Sequence, residues 1–323
     1  MSTSTAGNGA DEAASGENGQ GKLVRAFLKK PPGMLFEEWT MHLPNYVVLG
    51  TSKRGTPEEI RANILNTFTN PPPDVEVRDL GYLKGTKKVK NGQKTKSEDA
   101  AYNVVGVNVF RCTKDLGNIA SKVESLREHM KNNPCKTPSK SGLPDFIILT
   151  WKFKSFFHHQ HTCVVHLFQR NVDFVEENTA KPGFERALQR FLKGDDNEKK
   201  KRLKFVFEIH EAAKSLKRAV NMLGGERPVI IGKALHCQYF QGENYLEIDQ
   251  DVGSSKIASM LNSTILKGAG SIIASTSWVI EAHDEDELPE RLLASVRWHY
   301  VHINDVCLDL DENYQAVTDK NHT

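Results

Sequence analysis

The sequence predicts an α+β fold in which helices pack on a mainly antiparallel sheet, all within a single domain. Strand-like and helix-like segments are mixed along the chain, without the strict strand–helix–strand order that is typical of a parallel sheet. Two runs at 145–153 and 162–170 are rich in Ile, Val, Phe and Trp and lie close together in the chain, which indicates paired strands. The sequence shows no internal repeat.

The predicted strands are apolar runs that carry β-branched and aromatic side chains, as in Asn103–Phe110. A lysine-rich insert between Lys84 and Lys96 separates the predicted strands at 75–83 and 103–110 and is expected to be a solvated loop. Strands are predicted at 75–83, 103–110, 145–153, 162–170, 203–209, 228–231, 234–240, 244–251, 272–282 and 295–303.

Helices are predicted where apolar residues recur every three or four positions. Thr56 and Glu59 form a capping box with Pro57 at the first helical position, so a helix is predicted from Thr56 to Phe68. The charged segment 195–202 is expected to be a loop. The other helices are predicted at 116–130, 184–192 and 255–267, with a short helical turn at 287–293.

Both ends of the chain are polar and are expected to lie outside the folded domain. Residues 1–21 bury too little apolar surface to offset the entropy of ordering, so they form a predicted disordered tail. The domain is predicted over 22–310, and 311–323 form a polar C-terminal tail. The basic amphipathic segment at 22–30 either docks on the domain as a helix or contacts a membrane surface through Arg25, Phe27, Lys29 and Lys30.

Composition argues against several classes of protein. A net charge of +2 over 323 residues is too small for the concentrated basic face that nucleic acid requires. The five cysteines are scattered and form no CxxC pair, which disfavours a disulfide framework and indicates a reducing compartment. The sequence contains neither a signal-like apolar segment at its start nor the roughly 20 apolar residues of a membrane-spanning helix. We therefore expect a cytoplasmic protein, with or without peripheral contact to a membrane.

The strand at 244–251 carries an unusual row of acidic side chains. Alternation places Tyr245, Glu247, Asp249 and Asp251 on one face of the strand. Three carboxylates in such a row form a solvated or salt-bridged face, a docking surface for a basic partner, or a site for Mg²⁺ or Ca²⁺. Because calcium sites usually recruit more ligands from a loop, we predict no metal here.

The next residues, Ser254, Ser255 and Lys256, are predicted to open the helix at 255–267. Free backbone N–H groups at a helix start favour an anion, so a lipid phosphate is one ligand for this turn. Capping of the helix by the serine hydroxyls explains the same residues without any ligand. The acidic residues just before the turn also repel anions.

Two further clusters invite a chemical interpretation. His159, His161 and Cys163 share one predicted strand face and offer ligand types that suit zinc. Successive positions on one strand rarely converge on a tetrahedral ion, so a polar strand end or hairpin tip is the favoured interpretation. Glu287 and Glu290 flank a proline, which is typical of the start of a helix. The sequence has no GxSxG, HExxH or dinucleotide-binding motif, and no spacing selects a catalytic triad. We therefore predict no enzymatic activity and no cofactor.

Several blocks of residues occur in a recognisable order: Arg190–Asp196, Arg227–Leu235, Gln238–Gly242, Asn244–Ser255 and Glu287–Leu293. Together they resemble the C-terminal domain of the plant Enhanced Disease Resistance 2-like family, over residues 36–307 and most clearly after residue 184. The chain departs from the family at 156–161, where relatives carry a proline-containing strand end. The resemblance implies a domain that often follows pleckstrin-homology and lipid-transfer modules.

The sequence and the resemblance together predict a non-catalytic binding module for lipid or for a membrane surface. We expect an apolar cleft between the sheet and the helix at 255–267 to hold a lipid or another apolar ligand. A protein-interaction domain that uses the acidic strand face is the alternative. A metal-dependent hydrolase that uses Glu247, Asp249 and Asp251 is a third hypothesis, for which the sequence supplies no nucleophile or base.

Overall fold

The computed structural model describes most of the chain from Phe68 onwards. The described residues are 68–84, 92–140, 142–154, 160–171, 182–222, 227–256, 260, 269–301 and 307–317. The predicted tail at 1–21, the basic segment at 22–30 and the helix from Thr56 lie outside them, except that Phe68 itself is described. Of the helix predicted at 255–267, the structure describes only Ser255, Lys256 and Met260.

Thirteen strands are present in the described part of the chain, and eleven of them form one large sheet. The short strands β2 and β3 pair separately in an antiparallel hairpin. The strands are β1 Phe68–Thr69, β2 Glu76–Arg78, β3 Lys94–Lys96, β4 Tyr102–Cys112, β5 Phe146–Lys154, β6 His161–Arg170, β7 Leu203–Glu211, β8 Val229–Ile230, β9 His236–Gln241, β10 Tyr245–Asp251, β11 Ile273–Ile280, β12 Leu292–His299 and β13 Cys307–Asp309.

The large sheet runs in the order β8-β7-β11-β12-β4-β6-β5-β10-β9, with β1 beside β12 and β13 beside β4. Strands β5 and β6 pair antiparallel as predicted, from Phe146 opposite Gln169 to Lys154 opposite His161. However, β10 pairs with β5 in parallel, and β4 is parallel to both β12 and β13. The prediction of a mainly antiparallel sheet is therefore wrong: the sheet is mixed.

The large sheet curls so that its two halves face each other. Three strands lie between β11 and β5 in the sheet order. Since neighbouring strands are about 4.8 Å apart, β11 and β5 would be about 19 Å apart in a flat sheet. The ring centres of Trp278 in β11 and Trp151 in β5 are only 6.0 Å apart. The curl therefore brings aromatic residues from distant strands together in one interior.

Six α-helices flank the sheet within the described ranges. Helix α4 covers most of the segment that was predicted to be a charged loop, and that prediction is wrong. The side chain of Asp195 accepts the N–H of Glu198 and caps this helix, so the local charges stabilise helix rather than loop. The helices are α1 Ile119–Lys122, α2 Glu124–Asn132, α3 Pro182–Lys193, α4 Asp196–Arg202, α5 Lys214–Met222 and α6 Ile231–Ala234.

The prediction of a short helical turn at 287–293 is also wrong. The structure has a 3-10 turn at Glu285–Glu287 and then strand β12 from Leu292. Asp284 and Glu287 form the capping box of that turn, so the acidic residues do mark a turn start, but one that lies earlier in the chain. None of the described helices is both long and apolar enough to cross a membrane.

Candidate functional site

The acidic row lies in β10, which has β5 on one side and β9 on the other. The register with β5 is unbroken, with Glu247 opposite Ile148 and Asp249 opposite Thr150. Glu247 and Asp249 therefore lie on the same face of the sheet, as the alternation along the strand predicts. However, Glu247 is fully buried and Asp249 is 1% exposed. The solvated alternative is therefore wrong for these two carboxylates, which offer no surface to a docking partner, whereas Asp251 is half-buried.

The buried carboxylates bind the start of helix α1. Glu247 accepts the backbone N–H of Ile119 at 2.6 Å and of Ala120 at 3.0 Å, and Asp249 accepts that of Asn118 at 2.8 Å. The first N–H groups of a helix have no partner within the helix, so these bonds satisfy donors that would otherwise be buried unpaired. The acidic row therefore acts as the cap of α1, supplied by a distant strand.

Burial controls the protonation of this carboxylate pair. Burial raises the pKa of Glu247 well above its ordinary value, and the neighbouring Asp249 raises it further. Burial also raises the pKa of Asp249, although hydrogen bonds from Glu247 and from the Asn118 N–H oppose that effect. The pair therefore retains a proton to a higher pH than two exposed carboxylates would.

Lys152 supplies the positive charge next to this pair. Its ammonium lies 3.0 Å from Asp115 Oδ1 and favours the ionised form of Asp249. Cys163 faces the same cluster, and burial followed by the nearby carboxylates raises the pKa of its thiol well above the ordinary value. A thiol with a raised pKa is a poor nucleophile and a poor metal ligand.

The zinc hypothesis receives no support from the described residues. Cys163 is buried, His161 lies at the start of β6, and His159 lies outside the described residues. Within the described ranges, no group of three or more His, Cys, Asp or Glu side chains is placed to hold a metal ion.

The other predicted ligand residues lie at the end of β10. Ser254 donates its hydroxyl to the carbonyl of Asp251 and accepts the N–H of His236, so it fastens the start of β9 to the turn. A 3-10 turn at Val252–Ser254 follows the strand, so Ser254 does not cap a helix in the way predicted. Tyr245 is half-buried, Ser255 is half-buried and Lys256 is exposed.

Two of the sequence blocks that carried the resemblance meet in a buried ion-pair network. Glu287 accepts Arg190 at 2.6 Å, Arg202 at 2.8 Å and the His283 N–H at 2.7 Å. Glu290 accepts Lys204 at 2.9 Å. These bonds tie α3, α4 and β7 to the segment before β12, so the two glutamates are structural rather than an acid/base pair.

An open groove lies beside this network, at the C-terminal end of α3. Its volume is about 840 Å³, which falls in the range of roughly 300–1,000 Å³ that ligand sites occupy. Its walls are formed by residues between Pro134 and Ser139, by Gly142–Asp145, by the end of α3 and by the β9–β10 turn. A second, basic depression of about 480 Å³ adjoins it and shares Gln189, Lys193 and Gly194 with it.

A third feature is the aromatic interior of the curled sheet, which the sequence did not reveal. Trp151 stacks on Trp298 with ring centres 5.6 Å apart, and His166 lies 4.8 Å from Trp151 and 5.4 Å from Trp278. Gln250 is buried beside them and accepts the indole N–H of Trp278. A histidine and a glutamine inside apolar strands were the available signal, but only the strand register shows that they share one interior.

The Protein ENHANCED DISEASE RESISTANCE 2, C-terminal family matches residues 69–302. This chain belongs to that family. The matched range contains the acidic strand, the ion-pair network and the aromatic interior. The resemblance that the blocks from Arg190 to Leu293 carry is therefore confirmed.

The chain is also similar to Protein ENHANCED DISEASE RESISTANCE 2-like from Arabidopsis thaliana, with 34% identity over 117 residues. The match covers 36% of this chain and only 16% of the relative. No solved structure matches the chain. The chain therefore contains the ENHANCED DISEASE RESISTANCE 2 C-terminal domain, and it spans only a small part of the length of this relative.

Proposed function

We propose that this domain is a non-catalytic module that binds an anionic membrane surface through the outer face of α3. The observation that carries the proposal is the basic depression, lined by Arg186, Arg190, Lys193 and Arg202 beside a single acidic side chain, Glu198. Cationic side chains at such a surface attract anionic lipid headgroups by ~1 kcal/mol each.

The cations of the depression differ in how far they are already neutralised. Arg186 pairs with Asp286 at 2.7 Å, and Arg190 pairs with Glu287 and Asp284, while both keep about two fifths of their side chains exposed. Lys193 is exposed and forms no ion pair with any other residue that the structure describes. Lys193 is therefore the side chain with most charge to offer to a headgroup.

The absence of catalysis in this proposal is supported by the roles of the buried acids. Glu247 and Asp249 accept the N–H groups of α1, and Glu287 and Glu290 are committed to arginine and lysine partners. None of these four carboxylates lies in the wall of the groove or of the basic depression. The groove next to Lys193 is then the place for the part of a lipid that follows its headgroup.

Sedimentation of the full chain with vesicles tests the proposal. We expect binding to phosphatidylserine-containing vesicles at low salt, loss of binding at high salt, and little binding to pure phosphatidylcholine. Lys193→Glu removes one positive charge and adds a negative one, so it should weaken binding about tenfold or more.

Lys214→Glu is the matched control, because Lys214 is an exposed lysine at the start of α5 and lines neither the depression nor the groove. The proposal fails if the wild-type chain does not sediment with anionic vesicles, or if both variants lose binding equally. A variant without Arg25, Lys29 and Lys30 separates the contribution of the predicted N-terminal contact from that of the depression.

A further inference from the structure

We infer that the aromatic interior of the curled sheet is a second binding site, which takes an apolar molecule that carries a hydroxyl group. This site is separate from the basic depression, because none of its residues lines either the depression or the groove. The inference goes beyond membrane attachment, since it concerns a ligand held inside the domain.

Access to the interior is indicated by Trp151. This residue lies in the middle of β5, which is flanked on both sides by β6 and β10. A side chain at such a position can expose surface only on its own face of the sheet. Trp151 nevertheless remains partly exposed, whereas its neighbours His166 and Trp278 are completely buried. The exposed surface of Trp151 therefore faces the interior.

His166 presents a hydrogen-bond acceptor to this interior. Its Nδ1 lies 2.8 Å from the carbonyl oxygen of Leu149, and a carbonyl only accepts, so Nδ1 carries the hydrogen. Burial lowers the pKa of His166 to about 4, which keeps the ring neutral at physiological pH. Nε2 is therefore an unprotonated acceptor, and it is buried without a partner among the described residues.

Gln250 presents a hydrogen-bond donor. The indole N–H of Trp278 can only donate, so the atom that faces it at 3.4 Å is the carbonyl oxygen of Gln250. The amide nitrogen is left with two N–H groups, and it is buried without a partner in the described part of the chain. Because Gln250 is itself fully buried, these N–H groups face the interior and not bulk water.

The two unpartnered groups lie on either side of the same aromatic ring. Gln250 is the register partner of Trp151 across β10 and β5, and the His166 ring is 4.8 Å from that of Trp151. Both residues also contact Trp278. An acceptor and a donor are thus set into one wall of aromatic rings.

This combination selects for a hydroxyl group. A hydroxyl can donate to His166 Nε2 and can accept from the Gln250 amide, so it suits either group. A carboxylate or an ether only accepts, which leaves the histidine unpaired, and a hydrocarbon leaves both groups unpaired. The rings supply the apolar surface for the rest of the molecule, as in a long-chain alcohol or a sterol.

The tryptophans provide the readout. Three of the four tryptophans of the chain lie in this cluster, so a molecule that enters should change the intrinsic fluorescence. We would titrate the full chain with decanol and with its isomer methyl nonyl ether, and check for adducts by native mass spectrometry. Decanol should bind saturably and about fivefold or more tighter than the ether, since one hydrogen bond separates them.

His166→Phe removes the acceptor that only the alcohol can use, so it should abolish most of that preference, while His236→Phe, at an exposed histidine in β9, should not change it. Gln250→Leu is the second variant if His166→Phe does not fold: it removes a donor that both ligands accept, so it should weaken both and leave the preference for decanol, and Gln238→Leu, at an exposed glutamine in β9, should weaken neither. The inference is overturned if decanol does not bind, or if the ether binds as well as the alcohol. It is also overturned if His236→Phe has the same effect as His166→Phe. Vesicle sedimentation reports on Lys193 and not on this interior, so either proposal can fail alone.

Discussion

The carboxylate of Glu247 accepts the backbone N–H of Ile119 at 2.6 Å, although 128 residues separate the two in the chain. The bond joins β10, the strand next to the β9 edge of the sheet, to the start of helix α1. With the bonds from Ala120 and Asn118, it fixes the position of the whole loop and helix segment from Asp115 onwards. The acidic strand that looked like a binding surface is therefore an internal clamp.

Glu247→Gln should weaken this clamp without changing the shape of the side chain. Glutamine keeps one carbonyl oxygen as an acceptor, so one of the two backbone N–H groups loses its partner. A buried donor without a partner costs about 1–3 kcal/mol, and urea denaturation should show a loss of this size. Glu198→Gln, at an exposed carboxylate in α4, should stay within about 0.5 kcal/mol of wild type. Equal stability of the two variants would contradict the clamp.

The same pair predicts a specific pH dependence. Glu247 and Asp249 both have raised pKa values in the folded state, so their favourable contribution is complete below the ordinary value of 4.5 for glutamate and falls as pH rises. The destabilisation by Glu247→Gln should therefore be largest near pH 5 and smaller near pH 8.

The difference between the two proteins is the quantity to measure, by urea denaturation at several pH values. Burial lowers the pKa values of His129, His166 and His299 from 6.5 to about 4. These histidines therefore make the folded state more stable as pH rises from about 4 to 6.5, and they do so equally in wild type and variant. A destabilisation that stays constant or grows with pH would show that the carboxyl pair does not share a retained proton.

Local patterns predicted the strands better than their partners. Strands β5 and β6 were predicted correctly because their apolar runs are adjacent in the chain. The parallel pairing of β10 with β5 joins residues about a hundred positions apart, and no local spacing encodes it. For the same reason, the alternation in β10 placed Glu247 and Asp249 on one face, whereas the cover that buries them comes from residues near Asn118. The exposure of these two carboxylates therefore depended on a distant segment of the chain, which the sequence of β10 does not specify.

Glu287→Gln should destabilise the domain through the arginines that it leaves behind. Arg202 is largely buried and loses its carboxylate partner, while Arg190 is two-fifths exposed and regains water in compensation. Breaking a fully buried pair costs about 3–5 kcal/mol, so we expect about 2–4 kcal/mol here. Asp286→Asn, at an exposed acid in the same turn, is the control and should cost much less.

Acid unfolding gives an independent measurement of the same bond. Burial alone would raise the pKa of Glu287, but hydrogen bonds from Arg190, the His283 N–H and Arg202 outweigh it and lower the pKa to about 2. A lowered pKa stabilises the folded state above the ordinary value of 4.5, and that stabilisation is lost as pH falls towards 2. Circular dichroism should show a shallower loss of stability for Glu287→Gln than for wild type between pH 4.5 and 2. An unchanged acid transition would remove Glu287 from the network.

Gly183→Ala should separate α3 from the turn that carries Glu287. A Cβ at Gly183 would lie 2.6 Å from the carbonyl carbon of Leu288 and 3.1 Å from that of Glu287, and would also meet the Leu288 carbonyl oxygen. These neighbours are backbone atoms, so the helix itself has to shift, and overpacking of this kind costs about 1–3 kcal/mol. Gly253→Ala is the matched control, because its Cβ would meet only the flexible Asp251 carboxylate at 3.2 Å. In thermal denaturation, Gly183→Ala should have a lower unfolding midpoint than wild type, and Gly253→Ala should not.

The acid transition tests whether α3 positions the ion pair. Arg190 reaches Glu287 from the same helix, so the shift of α3 should also reduce the acid sensitivity that Glu287 confers. A Gly183→Ala variant that is destabilised but has an unaltered acid transition would show that α3 does not position this ion pair.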